Sequence, residues 1–187
     1  MRLLFIENED SFSWNVLDAL PVPRAEVMVR PGREAAADPA VLAEVDALLI
    51  GPGPTDPARA GLLPLVRAAA ARGLPLLGIC LGCQAIGMAF GARLVRTPPA
   101  HGQPATAAFG PSRFFGPFRG PHAVMRYHSL SLAAVAPPLR VVAATPEGIP
   151  MAVEHERLPI AGLQFHPDSY ATPRGAEMIA AFFQAAR

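Results

Sequence analysis

The sequence predicts an α/β fold in a single domain over residues 1–187: a mostly parallel central sheet, helices on both of its faces, and an antiparallel extension. Three observations predict it. Short apolar stretches alternate with helix-periodic ones from residue 2 to residue 90. A glycine-flanked strand, turn and helix stands at Gly78-Ile79-Cys80-Leu81-Gly82. Beyond residue 96 the pattern gives way to brief β-prone segments separated by proline and glycine.

In chain order, residues 2–6 form an apolar strand, and Glu7-Asn8-Glu9-Asp10-Ser11 is a polar turn able to cap a helix over residues 12–20. Residues 26–30 supply a second strand, 39–44 a short helix and 47–50 a third strand, which ends in the loop Gly51-Pro52-Gly53-Pro54-Thr55-Asp56-Pro57. Residues 62–72 are the next helix. The run Leu74-Pro75-Leu76-Leu77 leads into the Cys80 turn, and residues 83–90 continue as a helix. In such a fold chemistry gathers at the carboxyl ends of the strands, where both the proline-glycine loop and the Cys80 turn fall. After a segment at 93–96, Thr97-Pro98-Pro99 and Gly116-Pro117 break the chain. Residues 124–127, 140–144, 151–154 and 160–165 are expected as shorter strands that continue the sheet antiparallel. A helix over 174–186 closes the chain, with Ala176, Ile179, Ala180 and Phe183 sharing an apolar face.

Composition narrows the function classes. A chain of 187 residues with 51% hydrophobic content can bury a sizeable core. All 16 basic residues are arginine and 15 acids almost balance them, so a net charge of +1 gives no electrostatic case for nucleic acid or for an anionic membrane. Residues 73–92 carry no charge, yet Pro75, Gln84 and five glycines make them read as a buried strand and helix rather than a membrane span. Glu7, Glu9 and Asp10 follow the first strand at once, which is unlike a signal peptide, and a cytoplasmic location is expected.

The glycine spacing around Cys80 is that of a nucleophile elbow with Cys in place of Ser. Such a turn lifts the middle side chain to a helix N-terminus, where the dipole favours a thiolate able to attack a carbonyl carbon. A cysteine nucleophile needs a base and a group to orient the base. His166 directly follows an apolar strand, so it should project at the same sheet edge, and Asp168 could turn back onto it. The oxyanion of a tetrahedral intermediate needs donors, for which the amides of Leu81 and Gly53 are placed. Cys80 and Cys83 also form a CxxC, which a dithiol redox site or half a zinc site would share. No second CxxC exists and the other histidines, at 101, 122, 128 and 155, lack ligand spacing, so no metal or cofactor is expected.

Taken together, the motifs resemble those of the class I, or triad, glutamine amidotransferases, over essentially the whole chain. Asn8-Glu9-Asp10-Ser11-Phe12 with Asn15 is similar to an NxDSFxxN block, and Pro52 to Pro57 with Ala60-Gly61 to the family's oxyanion loop. Gly78 to Gln84 resembles the nucleophile block, Arg126-Tyr127-His128-Ser129-Leu130 the RYHSL block, and Gln164-Phe165-His166-Pro167-Asp168-Ser169 the QFHPES block. The NxDSF and RYHSL blocks, with His101-Gly102, point to the chorismate-linked branch: the glutaminase subunits of anthranilate synthase and aminodeoxychorismate synthase. The resemblance implies a Cys80, His166, Asp168 triad that hydrolyses L-glutamine, with Gly53 and Leu81 at the oxyanion. It implies glutamine binding by Gly53, Pro54, Thr55, Gln84, Ser129 and Leu130, and ammonia delivered to a separate chorismate-binding synthase subunit.

Three positions depart from the family pattern. Thr55 replaces a second glycine of the loop, Asp168 replaces the usual Glu, and Cys83 replaces a common His. Losing a methylene retracts the Asp168 carboxylate by ~1.5 Å, which calls for a backbone adjustment or leaves the His less well oriented. Two alternatives follow: an impaired, amidotransferase-like regulatory subunit, or a triad amidotransferase of another biosynthetic pathway.

Overall fold

The computed structural model describes residues 1–186. Its strands are β1 (Leu3–Glu7), β2 (Val27–Pro31), β3 (Ala47–Ile50), β4 (Leu76–Ile79), β5 (Arg93–Phe109), β6 (Gly120–Ala133), β7 (Leu139–Ala144), β8 (Pro150–His155) and β9 (Ile160–Leu163). Its α-helices are α1 (Ser13–Asp18), α2 (Gly32–Ala37), α3 (Leu62–Ala71), α4 (Leu81–Ala89) and α5 (Gly175–Ala185). The described strands form one sheet in the order β2-β1-β3-β4-β9-β8-β7-β5-β6. Pairing is parallel from β2 to β9 and antiparallel from β9 outward.

The sheet's central strands are buried and without polar side chains except at Glu7, the last residue of β1, because both faces are covered. In β1, Leu3 and Phe5 enter one cluster with Val16 of α1 and Met178, Ile179 and Phe182 of α5. Leu4 and Ile6 enter the opposite cluster with Ala35 of α2, Leu65 and Val66 of α3 and Ala85 and Ile86 of α4. The same period-two split sends Ala47 and Leu49 of β3 one way and Leu48 and Ile50 the other. These four β1 side chains are 0% exposed, and burial of each is worth about 1.5–3 kcal/mol relative to exposure.

Several expectations are corrected. The residues at 93–109 and 120–133 are not short strands but a long antiparallel pair, β5 and β6. Thr97-Pro98-Pro99 does not end β5: the register shifts between Arg96 and Ala100, so the prolines sit where the ladder is interrupted. β9, expected in the antiparallel part, is parallel to β4 and antiparallel to β8, and thus joins the two halves of the sheet. An additional helix, α2, occupies residues that lack a sequence cap, and residues 39–43 form a 3₁₀ turn instead of an α-helix. In α5 the buried stripe is Met178, Ile179, Phe182 and Phe183, while Ala176 is exposed: the larger side chains bury more apolar area than the alanines and set the rotation. Among the described residues no helix is long and apolar enough to cross a membrane.

Candidate active site

The strain of the elbow is concentrated on Cys80, whose φ of 50° and ψ of −100° lie where L-residues are rare. The flanking glycines serve close approach. A Cβ at Gly78 would stand 2.4 Å from the carbonyl carbon of Gly82, and one at Gly82 would stand 2.2 Å from the Ile50 carbonyl oxygen. With hydrogen alone at both positions, α4 can start directly above the end of β4. The Cys80 amide donates to the Leu163 carbonyl at 2.8 Å, which fastens the turn to the end of β9.

That neighbour relation brings in the histidine. β4 and β9 pair in register, Gly78 opposite Gly162 and Ile79 opposite Leu163, so the chain leaving β9 carries His166 to the side of Cys80. The backbone there is pinned: the His166 amide donates to the Met125 carbonyl at 2.9 Å, and the buried Thr172 hydroxyl donates to the His166 carbonyl at 2.7 Å. The ring is held edge-on by two aromatic side chains, Phe12 at 5.3 Å and Tyr127 at 5.1 Å between centroids. Phe12 is in turn set by the turn before α1, where the Asp10 carboxylate accepts from the Phe12 amide at 2.8 Å. The polar turn acts through that contact and through the Ser13 hydroxyl donating to Glu7, since Phe12 itself occupies the cap position without a side-chain bond.

Asp168 lies behind His166, its Oδ1 3.3 Å from Nδ1, with the side chains 0% and 2% exposed respectively. The pair is within ion-pair distance but lacks the alignment of a hydrogen bond: Nδ1 and both carboxylate oxygens are buried without an aligned partner. The shorter acid thus reaches the imidazole off line. Burial opposes a charge on His166, yet Asp168 and the Cys80 sulfur outweigh it and push the imidazole up to about 10. His166 therefore holds a proton at neutral pH.

The loop after β3 closes the other side. The Asn8 amide donates to the Gly51 carbonyl at 3.1 Å, which ties the first motif to this loop. A Cβ on Gly53 would meet Leu81 Cδ2 at 2.6 Å and Asn8 Cβ at 2.7 Å, so only glycine lets the loop backbone come this close to the elbow. Thr55 is not strained, because the positive φ values among described non-glycine residues belong to Glu9, Cys80 and Ala134. Between loop and elbow is a cavity of about 350 Å³ lined by Cys80, His166, Gly53, Pro54 and Thr55 on one side and by Gln84, Ser129, Leu130, Tyr127 and His101 on the other. Leu81 and Asp168 are not part of its wall: the Leu81 side chain packs into the core, and its amide stands at the start of α4, next after Cys80.

The second motif histidine, His128, is not a base for this site. Burial and the neighbouring Arg126 push it down to about 4, and it is used structurally, with Nδ1 donating to the Leu130 carbonyl at 2.9 Å and Nε2 accepting from Arg126 Nε at 3.1 Å. Cys83 is 1% exposed inside the α4 packing, and burial, then the nearby Cys80, pushes its thiol far above the ordinary range. Both cysteines are free, and among the described residues there is no cluster able to hold a metal ion.

Residues 4–186 match the family model for glutamine amidotransferase class-I. The chain belongs to that family. It is similar to the anthranilate synthase component 2 of Azospirillum brasilense, 38% identical over 99% of this chain and 96% of the relative. It is also similar to the aminodeoxychorismate/anthranilate synthase component 2 of Bacillus subtilis, 35% identical over 99% of this chain and 97% of the relative. A GMP synthase subunit protein from Thermoplasma acidophilum, so described as putative, shares the fold, with a TM-score of 0.86 at 20% identity over 100% of this chain and 94% of the other.

Within this class-I amidotransferase, Gln164 is a residue of the site that sequence reasoning misses, although its motif is legible. It is 1% exposed and donates to Cys80 Sγ at 3.8 Å. A polar amide at the end of an otherwise apolar strand is the available signal. The aromatic brackets Phe12 and Tyr127 are likewise visible in the sequence only as motif letters.

Proposed function

We propose that this protein is the glutaminase subunit of a chorismate-using synthase, and that Cys80, His166 and Asp168 hydrolyse L-glutamine. The convergence of Cys80, His166 and Gly53 of the loop on one cavity of about 350 Å³ is the observation that carries the reading. The two component 2 relatives support the kind of partner.

With the proton already resting on His166, Sγ attacks the side-chain amide carbon of glutamine as the thiolate of that pair. The oxyanion that forms is met by the Leu81 and Gly53 amides. When the C–N bond breaks, His166 gives its proton to the departing nitrogen and ammonia leaves. A glutamyl thioester remains, and water, deprotonated by His166, attacks it to release glutamate and restore the thiol. Gln84, Pro54, Thr55, Ser129 and Leu130 hold the amino-acid end of the substrate, and ammonia passes to the partner before it can be protonated in solvent. The chemistry uses no metal or cofactor, and nothing in it calls for nucleic acid or a membrane.

The off-line Asp168 favours a second reading, a weak glutaminase that serves mainly to regulate its partner. Glutamate release measured with and without the synthase subunit separates the two. The first reading expects release that rises with the partner and is abolished by Cys80→Ala. Release that is absent in both states, or indifferent to Cys80→Ala, contradicts it.

A further inference from the structure

The polar contacts around Cys80 form a chain whose direction is fixed by chemistry. It starts at the Leu130 carbonyl oxygen, which can only accept. That oxygen lies 3.0 Å from the Gln84 side-chain nitrogen, so the orientation of the Gln84 amide is decided: nitrogen toward Leu130. The same nitrogen lies 3.3 Å from the Gln164 side-chain oxygen, and as a pure donor it requires that oxygen to face it. The Gln164 nitrogen is thereby turned the other way, to Cys80 Sγ at 3.8 Å. The chain is buried, with Gln84 4%, Gln164 1% and Cys80 7% exposed.

A consequence for Gln84 comes first. Its nitrogen is spent on Leu130 and Gln164, so what it can offer the cavity is an acceptor oxygen, suited to the ammonium end of an amino acid and not to its carboxylate.

We infer that Gln164 is a positioning residue for the nucleophile: a donor, oriented through Gln84 by the Leu130 carbonyl, that holds Sγ in place and favours its anionic form. This rests on Cys80 being the nucleophile. A buried N–H aimed at sulfur is worth more to a thiolate than to a thiol, because hydrogen bonds to charged groups are the stronger ones and water is excluded here. Gln164 thus complements His166. The imidazole holds the proton, and the amide keeps the sulfur in place through the steps in which it is charged, at the attack and again when the thioester opens. The chain begins on the strand that carries Ser129 and Leu130, so the wall of the cavity and the sulfur share one set of hydrogen bonds.

The test is the pH dependence of Cys80 alkylation by iodoacetamide, read by mass spectrometry of the intact protein and of its peptides. Gln164→Met removes the donor at similar volume, and Gln164→Glu keeps the acceptor for Gln84 while putting an acceptor against Sγ. Gln164→Met is expected to move the midpoint of the alkylation profile upward by about one pH unit, the order expected for a lost bond to a charged group, and Gln164→Glu by more. Should Gln164→Met fail to fold, as judged by its near-UV circular dichroism, Gln164→Glu carries the same reading. A midpoint unchanged in the folded variants, with rates lowered equally at all pH, overturns the inference and leaves Gln164 as packing only. Wild-type protein alkylated at Cys83 and not at Cys80 overturns the nucleophile assignment itself, and the inference with it.

Discussion

Replacing Asp168 by Asn keeps the shape of the side chain and removes its charge, and the structure sets what should follow. His166 is pushed up to about 10 by Asp168 and the Cys80 sulfur against a burial that opposes it. Without the carboxylate, Cys80 alone faces the burial, and the imidazole falls to its ordinary value of about 6.5 or below. The protonated His166 that hands a proton to ammonia is present below its pKa and lost as pH rises through it. Wild-type glutaminase activity should therefore hold up to an alkaline limb near 10, and that of Asp168→Asn should fail from about 6.5 upward. Near pH 8 only about 3% of the variant's histidine is protonated, a loss of about 30-fold that nearly vanishes near pH 6. The orienting role adds a loss independent of pH. Because the contact is 3.3 Å and off line, that loss is about 10-fold, below what an aligned, charge-assisted bond would give. Glutamate release in the presence of the partner, measured from about pH 5 to 10 with the His166 titration followed by NMR, reads both parts. Equal losses at both ends of that range, with the histidine midpoint unmoved, would refute the reasoning.

Other positions give sharper structural outcomes. Gly53→Ala places a Cβ 2.6 Å from Leu81 Cδ2 and 2.7 Å from Asn8 Cβ, so the loop must retreat. A fall of about 10²-fold in kcat is expected, the size of one lost oxyanion donor, together with a raised KM because Pro54 and Thr55 move with the loop. Gly78→Ala drives a methyl into the Gly82 backbone at 2.4 Å, neither side of which can yield. Denaturant unfolding should show a destabilisation of more than about 3 kcal/mol, or no folded protein. Cys83→Ser buries a hydroxyl where a thiol packs at 1% exposure. It should cost about 1–3 kcal/mol of stability by the same measurement while leaving the per-molecule glutaminase rate within about two-fold.

Much of this arrangement is legible in local sequence. The elbow is readable because Gly78 and Gly82 are forced by contacts with nearby backbone, and β3 and β4 because four-residue apolar runs ending in a turn leave few alternatives. That His166 leaves a strand end is readable from the apolar run before it, but the edge it leaves from depends on the direction of that strand. The partners of these residues are not legible. That β9 pairs parallel with β4 depends on a crossover of some eighty residues, from Ile79 to Ile160, and no local pattern encodes which strand a distant segment will join. The length of β5 is hidden by Pro98 and Pro99, which normally end strands and here fall at a register shift. Gln164 illustrates the same limit at the site. Its residue type is visible in the sequence, but its role depends on Gln84 and Leu130, 80 and 34 positions away, which only the folded chain brings to it. Asp168 lies between these cases: the missing methylene predicts a reach problem, and the structure shows that distance is recovered while alignment is not.

The central claim is that Cys80 attacks glutamine. It is tested most directly by treating the protein, with its synthase partner, with a glutamine-mimicking electrophile and locating the adduct by peptide mass spectrometry. The account predicts one adduct, on Cys80, formed more slowly when glutamine is present and absent in Cys80→Ala, with Cys83 unmodified. An adduct on Cys83, or none at all while glutamate is still released, would contradict it.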